Sequence, residues 1–233
     1  MDLDLTPYFE KYEELVAKAD AAFERVRDAY AECVKCQEKC ADCCQALFDL
    51  TLIEALYIHN KFIQEFKGAQ KVKLLEKANR ADRRIHRIKR KAYKDYRAGK
   101  SEERILAELA LERVRCPLLN ERDLCDLYEY RPITCRFYGI PTAIGGSGHT
   151  CGLSGFKKGC KYPTVHLDAV HNRLQHISAE FLRDIESRNV KLTDLLVPLS
   201  MALLSDYDHA YLGVGEKQPA EKTPTRRRKR RKR

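Results

Sequence analysis

The 233-residue chain has no tryptophan, only two methionines, and few residues that interrupt regular structure, with 11 glycines and 8 prolines. This scarcity argues against a turn-rich β protein and favours helices. No apolar run approaches the roughly 20 residues that a bilayer-spanning helix needs. The acidic N-terminal segment MDLDLTPYFEKYEEL also lacks the basic and then apolar pattern of a secretory signal. We therefore expect a soluble, cytoplasmic protein.

Apolar residues recur at helical spacing in several long segments. From Phe9 to Cys33 they alternate between spacings of three and four, which predicts a helix that runs into the first cysteines. Thr51, with Glu54 three residues later, has the pattern of a capping box and predicts the start of a second helix. A long basic helix is expected after Gly68. Its inner face is expected to consist of Val72, Leu75, Ala78, Ile85, Ile88, Ala92 and Tyr96.

The second half of the chain contains predicted helices and one long segment without helical periodicity. Helices are expected after Ser101, over residues 167–188, and over residues 193–206 with a kink at Pro198. Residues 116–163 are rich in glycine and proline, and a loop-rich segment of this length needs some other organiser, such as a bound metal. We predict a mainly α helical bundle with a loop-rich cysteine segment folded over a metal site. The domain spans residues 1–214, with a core motif at 33–160, a basic helical insertion at about 67–115, and a disordered basic tail at 215–233.

Cysteine is unusually abundant and falls into two sets. Five of the ten cysteines lie in CVKCQEKCADCC, residues 33–44, and five lie between 116 and 160. In a reducing cytoplasm thiols stay reduced, which favours metal binding or catalysis over disulfides. Five cysteines among lysine, glutamate and glutamine do not resemble ordinary core filling. We therefore interpret both sets as metal ligands.

The spacing of the cysteines restricts how a metal would be held. On a helix the first five thiols would share one face but extend over about 16 Å, which is too far for one ion. Either the helix ends within the cluster, which we favour because a turn near 40–44 would let the thiols converge, or the thiols divide among metals. The second set does not match the spacing of a zinc finger or ribbon. Soft sulfur ligands select zinc or an iron–sulfur cluster, and we favour [4Fe–4S], with zinc as the second choice.

The candidate ligands come from both sets, and Cys33 and Cys160 are left open. They are Cys36, Cys40, Cys43, Cys44, Cys116, Cys125, Cys135 and Cys151. Arg131 and Arg136 flank Cys135 and could tune a cluster or bind an anion, but we favour a role in pinning the loop through hydrogen bonds.

Four short motifs in order resemble the YkgJ-type cysteine-cluster family of zinc- or iron-chelating domains. The family has a CxxCxxCC run, followed by CPxL, C-x-x-Y and RPxxCR elements. Here these read as Cys40-Ala-Asp-Cys43-Cys44, Cys116-Pro-Leu-Leu, Cys125-Asp-Leu-Tyr128 and Arg131-Pro-Ile-Thr-Cys135-Arg136. The resemblance covers about residues 33–160, but three residues rather than two separate Cys36 from Cys40. It implies chelation of zinc or iron, commonly as an iron–sulfur cluster.

Charge is distributed unevenly along the chain. The net charge is +10, and RRRKRRKR at 226–233 alone supplies +8, while residues 67–100 hold fourteen Lys and Arg against three acids. Such an excess could bind nucleic acid or another acidic partner, although a solvated basic surface is the simpler interpretation. Aromatic residues near this segment are limited to Tyr93 and Tyr96, so reading of base sequence is not indicated.

Three functions compete on these observations. The first is metal binding in a structural, redox or sensing role. The second is a basic, nucleic-acid-associated protein in which the metal is purely structural. The third is a protein-modifying enzyme, since a flagellin lysine methylase carries a similar cysteine motif. We rank the enzyme last, because neither a glycine-rich nucleotide fingerprint nor a catalytic acid–base or nucleophile constellation is visible.

Overall fold

A computed structural model describes residues 3–215; the tail predicted to be disordered therefore lies outside the described residues, apart from Gly215. Helices dominate this part of the chain, which confirms the mainly α class. The α-helices are α1 Thr6–Ala29, α2 Leu52–Glu65, α3 Gly68–Arg97, α4 Glu102–Leu111, α5 Ile133–Phe137, α6 Leu167–Asp184, α7 Leu199–Leu204 and α8 His209–Leu212. None of the helices within residues 3–215 has both the length and the apolar character needed to cross a bilayer.

Strands are short and join distant parts of the chain. The strands are β1 Asp49–Leu50, β2 Thr142–Ile144, β3 Ser147–His149, β4 Val165–His166 and β5 Val197–Pro198. β1 pairs antiparallel with β5, so that Asp49 lies opposite Pro198. β2 pairs antiparallel with β3 and parallel with β4. Three 3-10 turns, Cys43–Gln45, Tyr128–Tyr130 and Val190–Thr193, complete the regular structure of the described residues.

Two apolar cores hold the helices together. The first lies between α1, α2, α5 and α6 and includes Tyr12, Ile53, Ile177 and Phe181, all at most 1% exposed. The second lies between α2, α3 and α7, and its members include Phe62, Leu74, Ala78, Leu118 and Leu203. Because α2 contributes to both cores, it forms the centre of the bundle. The first cysteine segment follows α1, and the second follows α4.

The predicted capping box at the start of α2 is confirmed. The Thr51 backbone N–H and hydroxyl both donate to Glu54 Oε2, at 3.2 and 3.1 Å. The other carboxylate oxygen, Oε1, accepts the backbone N–H of Ile133 at 3.3 Å. Glu54 is only 3% exposed, and burial raises the pKa of its carboxyl group. A side chain that caps one helix therefore also holds the first residue of α5.

The prediction that α1 continues into the cysteines is wrong. α1 ends at Ala29, and Tyr30 leaves the helical conformation at φ −138° and ψ 48°. The ring of Tyr30 packs edge-on against Tyr162, with 5.4 Å between the ring centroids. The next turn is fixed by the backbone, because the carbonyl of Cys33 accepts the N–H of Gly155 at 2.7 Å. Long-range packing thus ends the helix where its apolar periodicity continues.

Two other helical expectations also need correction. On α3, Val72 and Tyr96 are 56% and 52% exposed, because the buried face of the helix extends only from Leu74 to Ile85. Its buried residues are Leu74, Ala78, Ala81 and Ile85. A single helix over 193–206 does not form, since Pro198 pairs in β5 and precedes α7 rather than kinking it. α6 ends at Asp184, four residues before the predicted end.

Candidate metal centre

Five cysteines from both sets surround one cavity of about 50 Å³, which we call the sulfur cavity. They are Cys43, Cys44, Cys116, Cys125 and Cys135. The remaining wall is mainly apolar and includes Phe48, Ile85, Leu118 and Leu199, with Arg131 at the same site. Cysteines separated by more than 70 positions in the chain thus line one shared, mainly apolar space.

Backbone pairing brings the two cysteine sets together. The N–H of Cys116 donates to the carbonyl of Cys44 at 2.7 Å, and the N–H of Val114 donates to the carbonyl of Gln45 at 2.9 Å. The segment after α4 therefore runs alongside the 3-10 turn Cys43–Gln45. The thiols of Cys43 and Cys44 lie 4.0 Å apart at this point.

A compact hairpin positions Cys125 close to Cys116. The Asp126 N–H donates to the Leu118 carbonyl at 2.8 Å, and Leu119 forms a bridge with Cys125. The side chain of Asn120 closes the turn, because its Oδ1 accepts the N–H of Leu124 at 3.1 Å and its amide donates to Asp126 at 2.8 Å. This short hairpin gives the two cysteines fixed neighbouring positions.

Cys135 lies on α5, and the next residue, Arg136, holds this helix in place. The Arg136 guanidinium is 6% exposed and donates to Asp20 Oδ2 at 2.6 Å, to the Arg131 carbonyl at 3.0 Å, and to the Glu129 carbonyl. Arg131 donates to the Tyr128 carbonyl and lies over the Tyr128 ring, 4.0 Å from its centroid. Arg136 therefore bonds two carbonyls and a carboxylate, while Arg131 bonds one carbonyl and lies 3.9 Å from Asp20, as expected for residues that pin the loop.

A second group, which we call the outer group, consists of Cys36, Cys40 and Cys151. Cys36 and Cys151 each interact electrostatically with Cys40. Asp42 links this group, since its Oδ2 accepts the Tyr138 hydroxyl at 3.1 Å and lies 3.8 Å from the Cys151 thiol. The Cys36 thiol lies 3.5 Å from the Tyr138 carbonyl.

Gly139 fixes the approach of Cys36. It adopts φ +105°, and a Cβ at this position would lie 2.2 Å from the Cys36 sulfur. A side chain cannot fit unless Cys36 moves, and the positive φ itself disfavours one. Gly139 is therefore a packing requirement of the outer group.

The environment of the sulfur cavity disfavours the deprotonated form of most of its cysteine thiols. Burial raises the pKa of Cys116 to about 12 and raises the pKa of Cys125 and of Cys135, and neighbouring cysteines add to each of these shifts. The hydrogen bond between the adjacent thiols lowers the pKa of Cys43 and raises that of Cys44. Arg131 opposes the shifts at Cys125 and Cys135. A bound cation would offset this crowding, because thiolates ligate only in the deprotonated form.

The structure divides the eight predicted ligands between the two groups, five at the sulfur cavity and three in the outer group. Cys33 is buried next to Gly155, and Cys160 is exposed on the following loop. In the geometry of residues 3–215, no three His, Cys, Asp or Glu side chains are gathered closely enough to hold one ion. The donor set fits a soft metal in kind, since sulfur ligands with few competing oxygens line the cavity.

Sequence reasoning missed four residues that shape these groups. Asp42 and Gly139 organise the outer group, whereas Asn120 and Glu54 hold the segments that carry Cys125 and Cys135. Asp42 lies inside the cysteine run, so its position there was an available signal. Glu54 was identified only as a helix cap, and its bond to Ile133 has no local signature in sequence.

Comparison with known proteins identifies the family of the chain. A family model, CxxCxxCC, described as "Putative zinc- or iron-chelating domain", matches residues 35–152, which is about half of the chain. No curated protein and no solved structure matches the chain. The matched segment contains all eight predicted ligands, from Cys36 to Cys151. The chain therefore belongs to the CxxCxxCC family of zinc- or iron-chelating domains.

Proposed function

We propose that the sulfur cavity binds a [4Fe–4S] cluster through four of its five thiols. The observation that carries the proposal is the placement of five cysteine side chains around one cavity, drawn from three separate segments of the chain. In a [4Fe–4S] cluster each iron takes one cysteine thiolate, so the ligands surround the cluster and need not meet at one point. A single zinc ion instead requires four ligands in a tight tetrahedron, and we keep zinc as the second candidate.

The protein's own residues would contribute stability and electrostatic control. Arg131 faces the cavity and favours the anionic form of Cys125 and Cys135, while apolar neighbours such as Leu118 keep water away. Hydrogen bonding, charge and burial of this kind tune a cluster's reduction potential. When bound, a cluster supplies one-electron redox chemistry and cross-links the segments that hold it. The role would be structural, redox or sensing, in a reducing compartment such as the cytoplasm, where ten free thiols persist.

Metal analysis of anaerobically purified protein tests the identity of the metal. We expect a brown protein with iron and acid-labile sulfide in equal amounts. A colourless protein that contains one zinc ion per chain would show that the site binds zinc and not an iron–sulfur cluster. A protein that contains neither metal after reconstitution with each would overturn the proposal.

Cysteine variants test the location of the site. Single Cys116→Ser, Cys125→Ser and Cys135→Ser substitutions should lower bound metal, whereas Cys160→Ser, at an exposed cysteine outside both groups, should retain it. The triple variant C36S/C40S/C151S separates one centre from two. We expect the cluster absorbance to persist in this variant, and any loss of additional metal would assign a second ion to the outer group.

Removal of the metal tests the structural role. Because thiolate ligation couples metal binding to folding, chelation should increase hydrogen exchange over residues 116–160 more than in α1 and α6. Unchanged exchange in this segment would show that the metal does not organise it.

The basic surface gives a second candidate, a nucleic-acid-associated protein. The specific observation in its favour is a set of exposed arginines on α3 that lack carboxylate partners within residues 3–215, whereas Lys73, Lys89 and Lys91 of the same helix are paired with carboxylates.

A further inference from the structure

The basic residues of α3 are of two kinds. One kind is held by partners elsewhere in the fold. Lys73 pairs with Glu121 at 3.3 Å and Lys89 with Asp49 at 2.6 Å. Lys91 pairs with Glu108 of α4 at 3.8 Å and, within α3 itself, with Asp95 at 2.8 Å. The amino group of Lys77 donates to the carbonyl of Leu119 at 3.2 Å. These contacts tie α3 to the hairpin of Cys125 and to β1.

The other kind forms an exposed row, which we call the arginine face. Its members are Arg80, Arg83, Arg84, Arg87, Arg90, Lys94 and Arg97, all exposed. None of them has a carboxylate partner within the described part of the chain, residues 3–215. Apart from the adjacent Arg83 and Arg84, neighbours in the row are three or four residues apart, which places them on one side of the helix. The row extends over about 26 Å. The acids nearby are engaged elsewhere: Asp82 accepts the Ser200 hydroxyl, and Asp95 is paired with two lysines.

The row leads into a cavity of about 300 Å³, which we call the basic cavity. Four cationic side chains line it, and its lining contains no carboxylate: Lys77, Arg80, Arg84 and Arg115. Val114, Pro117 and Cys116 complete the wall, so that the basic cavity and the sulfur cavity share Cys116. The Arg115 guanidinium donates to the Asn120 carbonyl at 2.6 Å and to Asp123 Oδ1 at 3.1 Å, which fixes its orientation.

We propose that the basic cavity binds a phosphate group, and that the arginine face continues this contact along the phosphodiester backbone of a nucleic-acid duplex. The cavity provides several cations around one concave space, and guanidinium groups match phosphate oxygens in a bidentate geometry. The row is much longer than a small phosphate ester, which favours a polymeric anion over a free one.

The same surface argues for recognition of the backbone without reading of sequence. Phosphate contacts position a protein on a duplex, whereas base contacts specify the site. Tyr93, at 62% exposure, is one of only two exposed aromatic side chains on α3, so a stacking platform for single-stranded bases is not provided. The proposal is independent of the metal's identity, because no ligand thiol needs to contact the phosphate.

Fluorescence anisotropy with labelled duplexes tests this surface. The basic residues of 226–233 have the same sign and would bind any polyanion, so the measurement uses the full-length chain with these eight residues replaced by serine. We expect binding that weakens as salt rises, with a slope of log K against log salt of about −0.9 for each phosphate contact. A comparison of DNA and RNA duplexes of the same sequence shows which of the two nucleic acids binds more tightly.

Matched variants then locate the contact. Arg80→Gln with Arg84→Gln should reduce the magnitude of the salt slope by about 2, and the triple variant R83Q/R87Q/R90Q should reduce it by about 3. The control, Lys73→Gln with Lys91→Gln, removes two charges from paired positions of the same helix and should leave the slope unchanged. Circular dichroism and metal content report whether each variant keeps the fold.

The results that would overturn the proposal are specific. They are an absence of duplex binding at low salt, an equal loss of affinity in the control and the arginine variants, or binding of polyglutamate as strong as binding of the duplex. The last outcome would show a surface for acidic proteins or nonspecific attraction. Because metal content is measured separately, failure here leaves the sulfur cavity untouched, and a changed salt slope counts only for a variant that keeps its metal.

Discussion

Replacing Arg136 by methionine should destabilise the fold and the cysteine segment together. The substitution keeps an apolar chain of similar length but leaves the carbonyls of Arg131 and Glu129 without their buried donor. An unsatisfied buried acceptor costs about 1–3 kcal/mol. Asp20 is 42% exposed and can be solvated, so loss of its ion pair adds at most about 1 kcal/mol. The two acceptors and the ion pair together predict a loss of at least about 2 kcal/mol in the free energy of unfolding.

Anaerobic denaturant unfolding of the metal-loaded protein, followed by circular dichroism and by metal release, measures this effect. Arg136→Lys should give an intermediate loss, since a lysine keeps the charge but cannot reach all three acceptors. Arg27→Met serves as the matched control, because the Arg27 guanidinium is 51% exposed and, among the described residues, pairs only with Glu24 and Asp28 at the surface, away from the cysteine segments. If Arg136→Met unfolds within about 0.5 kcal/mol of the wild type, the pinning role assigned to this guanidinium is wrong.

Two further perturbations test other contacts of the structure. Gly139→Ala should displace the Cys36 sulfur and lower the stability of the loop, as measured by thermal unfolding, whereas Gly148→Ala, where a Cβ meets nothing within 4 Å, should have little effect; equal effects would contradict the close approach at Gly139. Tyr8→Phe should lower stability near neutral pH, because the Tyr8 hydroxyl donates to Asp184 at 2.8 Å. Burial and this bond raise the pKa of Tyr8 to about 12, so its contribution is present below pH 10 and lost between about pH 10 and 12. The same bond lowers the pKa of Asp184, so the contribution is also lost in acid below pH 3.8. A constant difference between Tyr8→Phe and the wild type at all pH values, measured by denaturant unfolding, would refute this coupling.

Helix starts with chemical signals could be predicted from the sequence, but helix ends set by tertiary contacts could not. Thr51 and Glu54 lie three residues apart and act through local hydrogen bonds, so the capping box was visible. The end of α1 depends on Tyr30 meeting Tyr162, more than 130 residues later, while the local periodicity still indicates a helix. The two-residue strands β1 and β5 are too short to show any alternation of their own.

The convergence of the two cysteine sets followed from their composition, because so many thiols in polar surroundings are unusual in a core. The division of the cysteines into a sulfur cavity and an outer group could not be predicted from composition. It depends on contacts that Asp42 and Gly139 make with other segments of the fold and that Asn120 makes within its hairpin. The excess of charge on α3 was equally plain in sequence. Which basic residues are paired depends on where Asp49, Glu121 and Glu108 lie in space.

Repulsion between the like charges of the arginine face destabilises α3. Its seven cations include three like-charged pairs four residues apart and four pairs three residues apart. Each such neighbour repulsion weakens a helix by about 0.2–0.5 kcal/mol, so α3 carries about 2 kcal/mol of self-repulsion in dilute buffer. Added salt screens this repulsion, and a bound polyanion would neutralise it directly. The melting temperature should therefore rise with ionic strength, which links the stability of the central bundle to the composition of its surroundings.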